Sequence, residues 1–92
     1  GDPRYSGETD EQFNDRIAVN YIRHKLTNYD SLIDAVEDAT AFRATVLRKI
    51  ADAYPELTNA CSLQGADMNG MRRTVAPDER GILRTVWVSE AA

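Results

Sequence analysis

Apolar residues recur at helical spacing through the first two thirds of the chain, and the pattern changes character at Gly65. Thr9 followed by Asp10, Glu11 and Gln12 is a helix start. The threonine hydroxyl accepts a backbone N–H, Gln12 reaches back to the cap, and the acids suit the positive helix end. Behind it Phe13, Ile17, Tyr21 and Leu26, flanked by Ala18 and Ile22, predict a helix over about 10–26. Thr27-Asn28-Tyr29-Asp30 interrupts that pattern and offers new caps. Leu32, Ile33 and Val36 then mark a second helix over about 29–38. Its short connection makes it an antiparallel or sharply angled neighbour of the first.

Thr40 is placed to cap a third helix presenting Phe42, Val46, Leu47, Ile50 and Tyr54 inward, with Arg43, Arg48 and Lys49 on its other face. Pro55 ends or kinks that helix, because the residue before a proline avoids helical geometry. Proline also suits a first helical turn, so Pro55 opens a short fourth helix reaching Leu63, with Gly65 just past the stop. Met71 to Ala76 and Ile82 to Val88 are rich in Val, Thr and Trp, and Pro77-Asp78-Glu79-Arg80-Gly81 between them reads as a turn. Two such runs predict a β-hairpin, which is marginal alone and must pack on the helices or on a partner.

The expected fold is therefore mainly α: a small bundle of about four helices with a C-terminal β-hairpin or extended arm. Residues 1–8 read as a flexible lead-in, 9–65 as the bundle, and 66–92 as the hairpin arm, frayed from Ser89 onward. The expected core is Phe13, Ile17, Tyr21, Leu32, Val36, Phe42, Val46, Ile50 and Leu57, with Trp87 sealing one end. A chain of 92 residues has room for one such core. It opens on Gly1 instead of methionine, as expected of a fragment or of a residue left by preparation. It shows neither a signal-like start nor an apolar run of membrane-spanning length.

Charge narrows the partners. Eleven Lys and Arg stand against fifteen Asp and Glu, a net charge of −4, whereas nucleic-acid binders usually carry a basic footprint. The acids concentrate in the first two helices, and Thr40 to Ile50 is the only acid-free basic stretch. A lone Cys61 cannot form an internal disulfide, which favours a reducing, cytoplasmic setting and a buried apolar role for the thiol.

Chemistry-bearing motifs are sparse. One His and one Cys make no zinc ligand set, and Asp34, Glu37 and Asp38 read as a solvated helix face. The five glycines stand apart, so no phosphate loop is present and no cofactor is expected. His24 sits in Arg23-His24-Lys25, cations suited to a helix C-terminus. The alternative is a polar corner of His24, Asn28, Tyr29 and Asp30, in which Asp30 orients the imidazole and Tyr29 presents a phenol.

No enzymatic activity is expected. The leading reading is a non-enzymatic protein-interaction or regulatory module, self-associating through the hairpin, where consecutive Val86, Trp87 and Val88 leave at least one apolar residue facing outward. The alternative is a nucleic-acid-binding regulator using Arg43, Arg48 and Lys49 of the third helix or Arg72, Arg73 and Arg84 of the hairpin. No membrane partner is expected.

Overall fold

The structure is a computed structural model that describes residues 4–90, so the outermost parts of the expected lead-in and tail, 1–3 and 91–92, lie outside the described residues. The chain forms helices α1 (Asp10–Lys25), α2 (Tyr29–Leu32), α3 (Ala39–Ala53) and α4 (Thr58–Leu63), then strands β1 (Met71–Pro77) and β2 (Leu83–Ser89). It is a mainly α fold of four helices with a C-terminal antiparallel hairpin.

Local chemistry explains most boundaries. Thr9 and Gln12 make a reciprocal capping box: the Gln12 N–H donates to Thr9 Oγ1 at 3.1 Å and the Thr9 N–H to Gln12 Oε1 at 2.9 Å. The second helix is shorter than its periodicity predicts. α2 tightens into a 3₁₀ turn over Ile33–Ala35, and Val36 is extended at φ −91°, ψ 150°. The cause lies at Asp38, which caps α3 by accepting the Ala41 N–H at 3.0 Å. That role, expected of Thr40, requires a non-helical backbone two residues earlier than the sequence pattern suggests.

Pro55–Leu57 form a 3₁₀ turn that runs into α4. α4 ends at Gly65, whose φ of +102° suits a residue without a Cβ. The Ala66 N–H bonds to the Cys61 carbonyl at 3.0 Å and the Gly65 N–H to that of Ser62 at 3.0 Å, a Schellman closure that turns Ala66 back onto the core.

The core comprises Val19, Val46, Leu47, Ile50, Ala51, Leu57, Ala60 and Cys61. Val46, Ile50 and Leu57 meet the expectation, while Phe13, Ile17, Val36, Phe42 and Trp87 are half-buried. Tyr21 and Leu32 are exposed. The α1 expectation is out by roughly half a turn: Val19 lies two residues, about 200°, round the helix from Ile17. The face that meets the core carries Asp15, Arg16 and Arg23 around Val19. Its arginines set their guanidinium groups over the Tyr5 and Tyr29 rings and hydrogen-bond to Glu8 and Gln64, so the buried face looks polar in the sequence.

In the hairpin Met71 pairs with Ser89, Arg73 with Trp87, Val75 with Thr85 and Pro77 with Leu83. Asp78 organises the turn, its Oδ1 accepting the N–H of Arg80 at 2.8 Å and of Ile82 at 3.0 Å. The root is stapled from α3. Arg48 Nη1 donates to the carbonyl oxygens of Asp67 at 3.0 Å and Asn69 at 2.7 Å, and the Asp67 N–H donates to that of Ala44 at 3.1 Å.

Candidate functional site

Directly paired residues share a side of a sheet, so Met71, Arg73, Val75 and Pro77 lie on one face with Ser89, Trp87, Thr85 and Leu83. That face has two unlike halves. At the root, Met71 and Trp87 line a cleft of about 180 Å³ with Ala51, Asp52, Pro55 and Met68. Trp87 Nε1 is buried there without a partner among the described residues. Farther out the cover ends: Val75 is 60% exposed, Leu83 68%, and Ile82 beside it in the turn 50%.

The other face carries Arg72, Thr74 and Ala76 beside Val88, Val86 and Arg84. Arg84 reaches Asp78 at 2.7 Å and also pairs with Glu11, tying this face to the start of α1. Val86 and Val88 lie on this face and Trp87 on the other, and all three are half-buried, so none of them is the bare outward residue expected there. The bare apolar surface lies one step outward, at Val75, Ile82 and Leu83. Strand composition pointed to the hairpin; the depth of the helical cover along it is a tertiary property with no local signal.

The six basic residues considered for phosphate contact fall into two groups. Arg48 is committed to Asp52 and to the two linker carbonyls, and Arg84 to Asp78 and Glu11. Arg43, Lys49, Arg72 and Arg73 are exposed and make no hydrogen bond or ion pair among the described residues. Arg43 and Lys49 lie about 120° apart round α3. Arg72 and Arg73 are consecutive in a strand and point to opposite faces.

The polar corner does assemble in part. His24 Nδ1 lies 2.6 Å from Asp30 Oδ1, and its Nε2 lies 3.2 Å from Arg23 Nη2. A guanidinium N–H can only donate, so Nε2 accepts and the imidazole proton sits on Nδ1, toward Asp30. Both ring nitrogens are thereby occupied. Tyr29 meets the His24 ring edge-on at 5.8 Å and stacks on Phe42 at 5.9 Å. Asn28 precedes α2 with no side-chain cap; Thr27 Oγ1 accepts the Tyr29 N–H at 3.1 Å.

Arg23, absent from the expected site, is the hub of this corner. It is buried under the Tyr29 ring and donates to Gln64 Oε1 at 3.2 Å, while its Nε has no partner among the described residues. Burial, helped by the nearby Arg43, weakens its hold on its proton; Tyr29 and Asp30 oppose that effect. The signal available in sequence was the line Asp15, Val19, Arg23 at i, i+4, i+8.

The segment ahead of α1 is built rather than featureless. Glu8 and Arg16 form a two-pronged ion pair at 2.9 and 3.0 Å, and the Arg16 guanidinium lies 3.9 Å from the Tyr5 ring centre. Arg16 holds the Glu8 carboxyl below the ordinary range, through its side-chain hydrogen bond first of all. Cys61 is fully buried, and that burial pushes its thiol up to about 11, away from nucleophilic ionisation. Among the described residues no group of three or more His, Cys, Asp or Glu is placed to hold a metal ion, and no helix is long and apolar enough to cross a membrane.

No known family model matches the chain, and comparisons with curated proteins and with solved structures return no match.

Proposed function

We propose that this chain is a non-enzymatic protein-interaction module of the cytoplasm, self-associating through the outer half of its C-terminal hairpin. The observation that carries the reading is the exposure of Val75 and Leu83 on one face of the hairpin, with exposed Ile82 beside Leu83 at the turn, outward of a root where Trp87 lines a cleft. Apolar side chains gathered on a projecting arm gain free energy when covered. A two-stranded sheet also keeps free edges that accept another strand. The Cα radius of gyration of 14.1 Å, against roughly 12 Å for a compact chain of this length, agrees with an arm that stands off the helices.

A second copy suits this surface. A two-fold axis brings the same surface against itself, and Glu79 and Arg80, adjacent and exposed at the tip, can then pair crosswise. The single buried thiol supports the reducing compartment.

Light scattering on the full chain over a concentration series tests the proposal. A mass that rises to twice the monomer, and falls back when Val75 and Ile82 are both changed to Thr, is expected. A monomer at every concentration up to about 1 mM, a free energy of only ~4 kcal/mol, overturns self-association. Salt-dependent retention of duplex DNA, lost when Arg43, Arg72 and Arg73 become Glu, favours the nucleic-acid reading instead.

A further inference from the structure

The hairpin has a second open surface, the outer edge of β1, and the hydrogen-bond phase of the ladder fixes what that edge offers. At the root the Glu90 N–H donates to the Gly70 carbonyl at 2.8 Å, and at the turn the Asp78 N–H donates to that of Ile82 at 2.9 Å. Both pairs continue the register of Met71 with Ser89 and Pro77 with Leu83. Hydrogen-bonded pairs alternate with unbonded ones along an antiparallel ladder. Arg72, Thr74 and Ala76 therefore bond to β2, and the backbone groups of Met71, Arg73, Val75 and Pro77 point away from it. Pro77 agrees with that phase, since a proline in a strand belongs where its missing N–H faces outward. The Met71 N–H is taken by the Met68 carbonyl at 3.0 Å. The donors left on this edge are the N–H groups of Arg73 and Val75, and the carbonyls of Arg73, Val75 and Pro77 are its acceptors.

These groups are open to a partner. Arg73, Val75 and Pro77 are exposed, and β2, not β1, is the strand that packs on α4. Side-chain charge on β1 has one sign. Arg72 and Arg73 are exposed without a hydrogen bond or ion pair among the described residues, and no acid lies between Met71 and Pro77. Their opposite faces separate them for a phosphate chain but suit an added strand, whose consecutive side chains alternate in the same way. Such a strand sets two successive residues directly opposite Arg72 and Arg73, and a third, on the Arg73 face, opposite Val75. A second β1 would bring the arginines of both copies to one seam, a like-charge cost that an acidic strand turns into attraction.

We propose that the β1 edge binds an extended acidic segment of a partner protein as a third, antiparallel strand. Two consecutive carboxylate side chains pair with Arg73 and Arg72, and a β-branched residue two positions ahead of them packs beside Val75. The backbone of the segment exchanges hydrogen bonds with Arg73 and Val75. Antiparallel is the slightly more stable sense of pairing. In strand addition the main chain supplies affinity and the side chains specificity. This surface is the edge of the sheet, distinct from the Leu83 face on which self-association is proposed.

The test is a titration of the full-length protein with acetyl-Thr-Thr-Val-Thr-Glu-Glu-Thr-amide, read by amide shifts and amide exchange. Two control peptides carry Lys-Lys in place of Glu-Glu or an N-methyl group on the valine. Saturable shifts along 71–77 and slowed exchange of the Arg73 and Val75 N–H groups are expected with the first peptide. Binding should weaken about tenfold or more with the Lys-Lys peptide, the scale of two exposed ion pairs turned repulsive. N-methylvaline should weaken it as much, because it keeps every charge but cannot donate to the Val75 carbonyl. Changing Arg72→Glu and Arg73→Glu together should invert the preference between the Glu-Glu and Lys-Lys peptides. Both side chains are exposed and unpaired among the described residues, so that variant keeps the fold.

No shifts along β1 up to about 5 mM peptide, weaker than any useful recognition, overturn the proposal. So does undiminished binding of the N-methylated peptide, which would leave only loose charge attraction, or an unchanged preference in the double variant. Slowed exchange of the Arg73 and Val75 N–H groups at rising concentration of the protein alone assigns the edge to a second copy and overturns it too. Leu83→Lys leaves the β1 edge intact, so peptide binding by that variant and self-association of the parent chain succeed or fail separately.

Discussion

Leu83→Lys is the sharpest perturbation of the proposed self-contact. Leu83 is 68% exposed and lies on the outer half of the hairpin opposite Pro77. Full burial of a leucine side chain is worth about 1.5–3 kcal/mol, so covering the exposed 68% yields about 1–2 kcal/mol per copy. An isologous contact counts each residue twice. The variant therefore loses about 2–4 kcal/mol of association, or roughly one and a half to three powers of ten in Kd.

The fold should hardly notice, since exposed substitutions away from special features stay within about 0.5 kcal/mol. Sedimentation equilibrium from about 1 µM to 1 mM, spanning roughly −8 to −4 kcal/mol in association free energy, reads the shift. Tyr21→Lys is the matched control, because Tyr21 is comparably exposed at 59% but lies on α1. Equal association of Leu83→Lys and the parent chain refutes the hairpin contact, and so does an equal loss in Tyr21→Lys.

Three further outcomes follow from the packing. Leu47→Ala, at a side chain with no exposed surface, should cost about 2–5 kcal/mol in urea unfolding. Arg48→Met should speed amide exchange in the 67–70 linker and β1 while α1 stays protected, with a loss of about 1–2 kcal/mol from the two solvent-exposed charged hydrogen bonds; unchanged exchange in β1 would deny Arg48 its stapling role. Asp15→Asn should raise stability at neutral pH by about 0.3–1 kcal/mol, the scale of partly screened charges. Because burial lifts the folded Asp15 pKa above its unfolded value, the folded state binds the proton more tightly, and the wild type loses stability as pH rises through the folded value. The advantage of Asn should accordingly shrink on acidification and disappear below the ordinary aspartate value of 3.8.

Features with local causes were legible in the sequence. The Thr9–Gln12 box, the stop at Gly65 and the Asp78–Gly81 turn each depend on a few consecutive residues, and the structure has all three. Asp30 beside His24 was also legible, because one helix end and one short turn bring them together. The limits appear where a polar side chain serves distant groups. Asp38 rather than Thr40 caps α3, since two adequate caps two residues apart are separated only by how the preceding turn must leave the core. Val19 carries no such signal, because its neighbours on the helix face are charged and the partners of Arg23 there, Gln64 and Tyr29, belong to other elements.

The arginines make the same point about function. Arg16, Arg23, Arg48 and Arg84 are each held by protein groups: the Glu8 carboxylate, an amide and an imidazole, two linker carbonyls, and the acids at a turn and a helix start. Pulling such a cation toward a phosphate would undo a contact of the fold. What remains on the surface is dispersed, with Arg43 and Lys49 round different sides of α3 and Arg72 and Arg73 on opposite faces of β1. Dispersed cations on a chain of net charge −4 make few simultaneous phosphate contacts, and affinity for nucleic acid scales with their number. Val75 and Leu83 share one face of the hairpin, with exposed Ile82 next to Leu83 at the turn, which is why the interaction reading rests on these residues and not on the arginines.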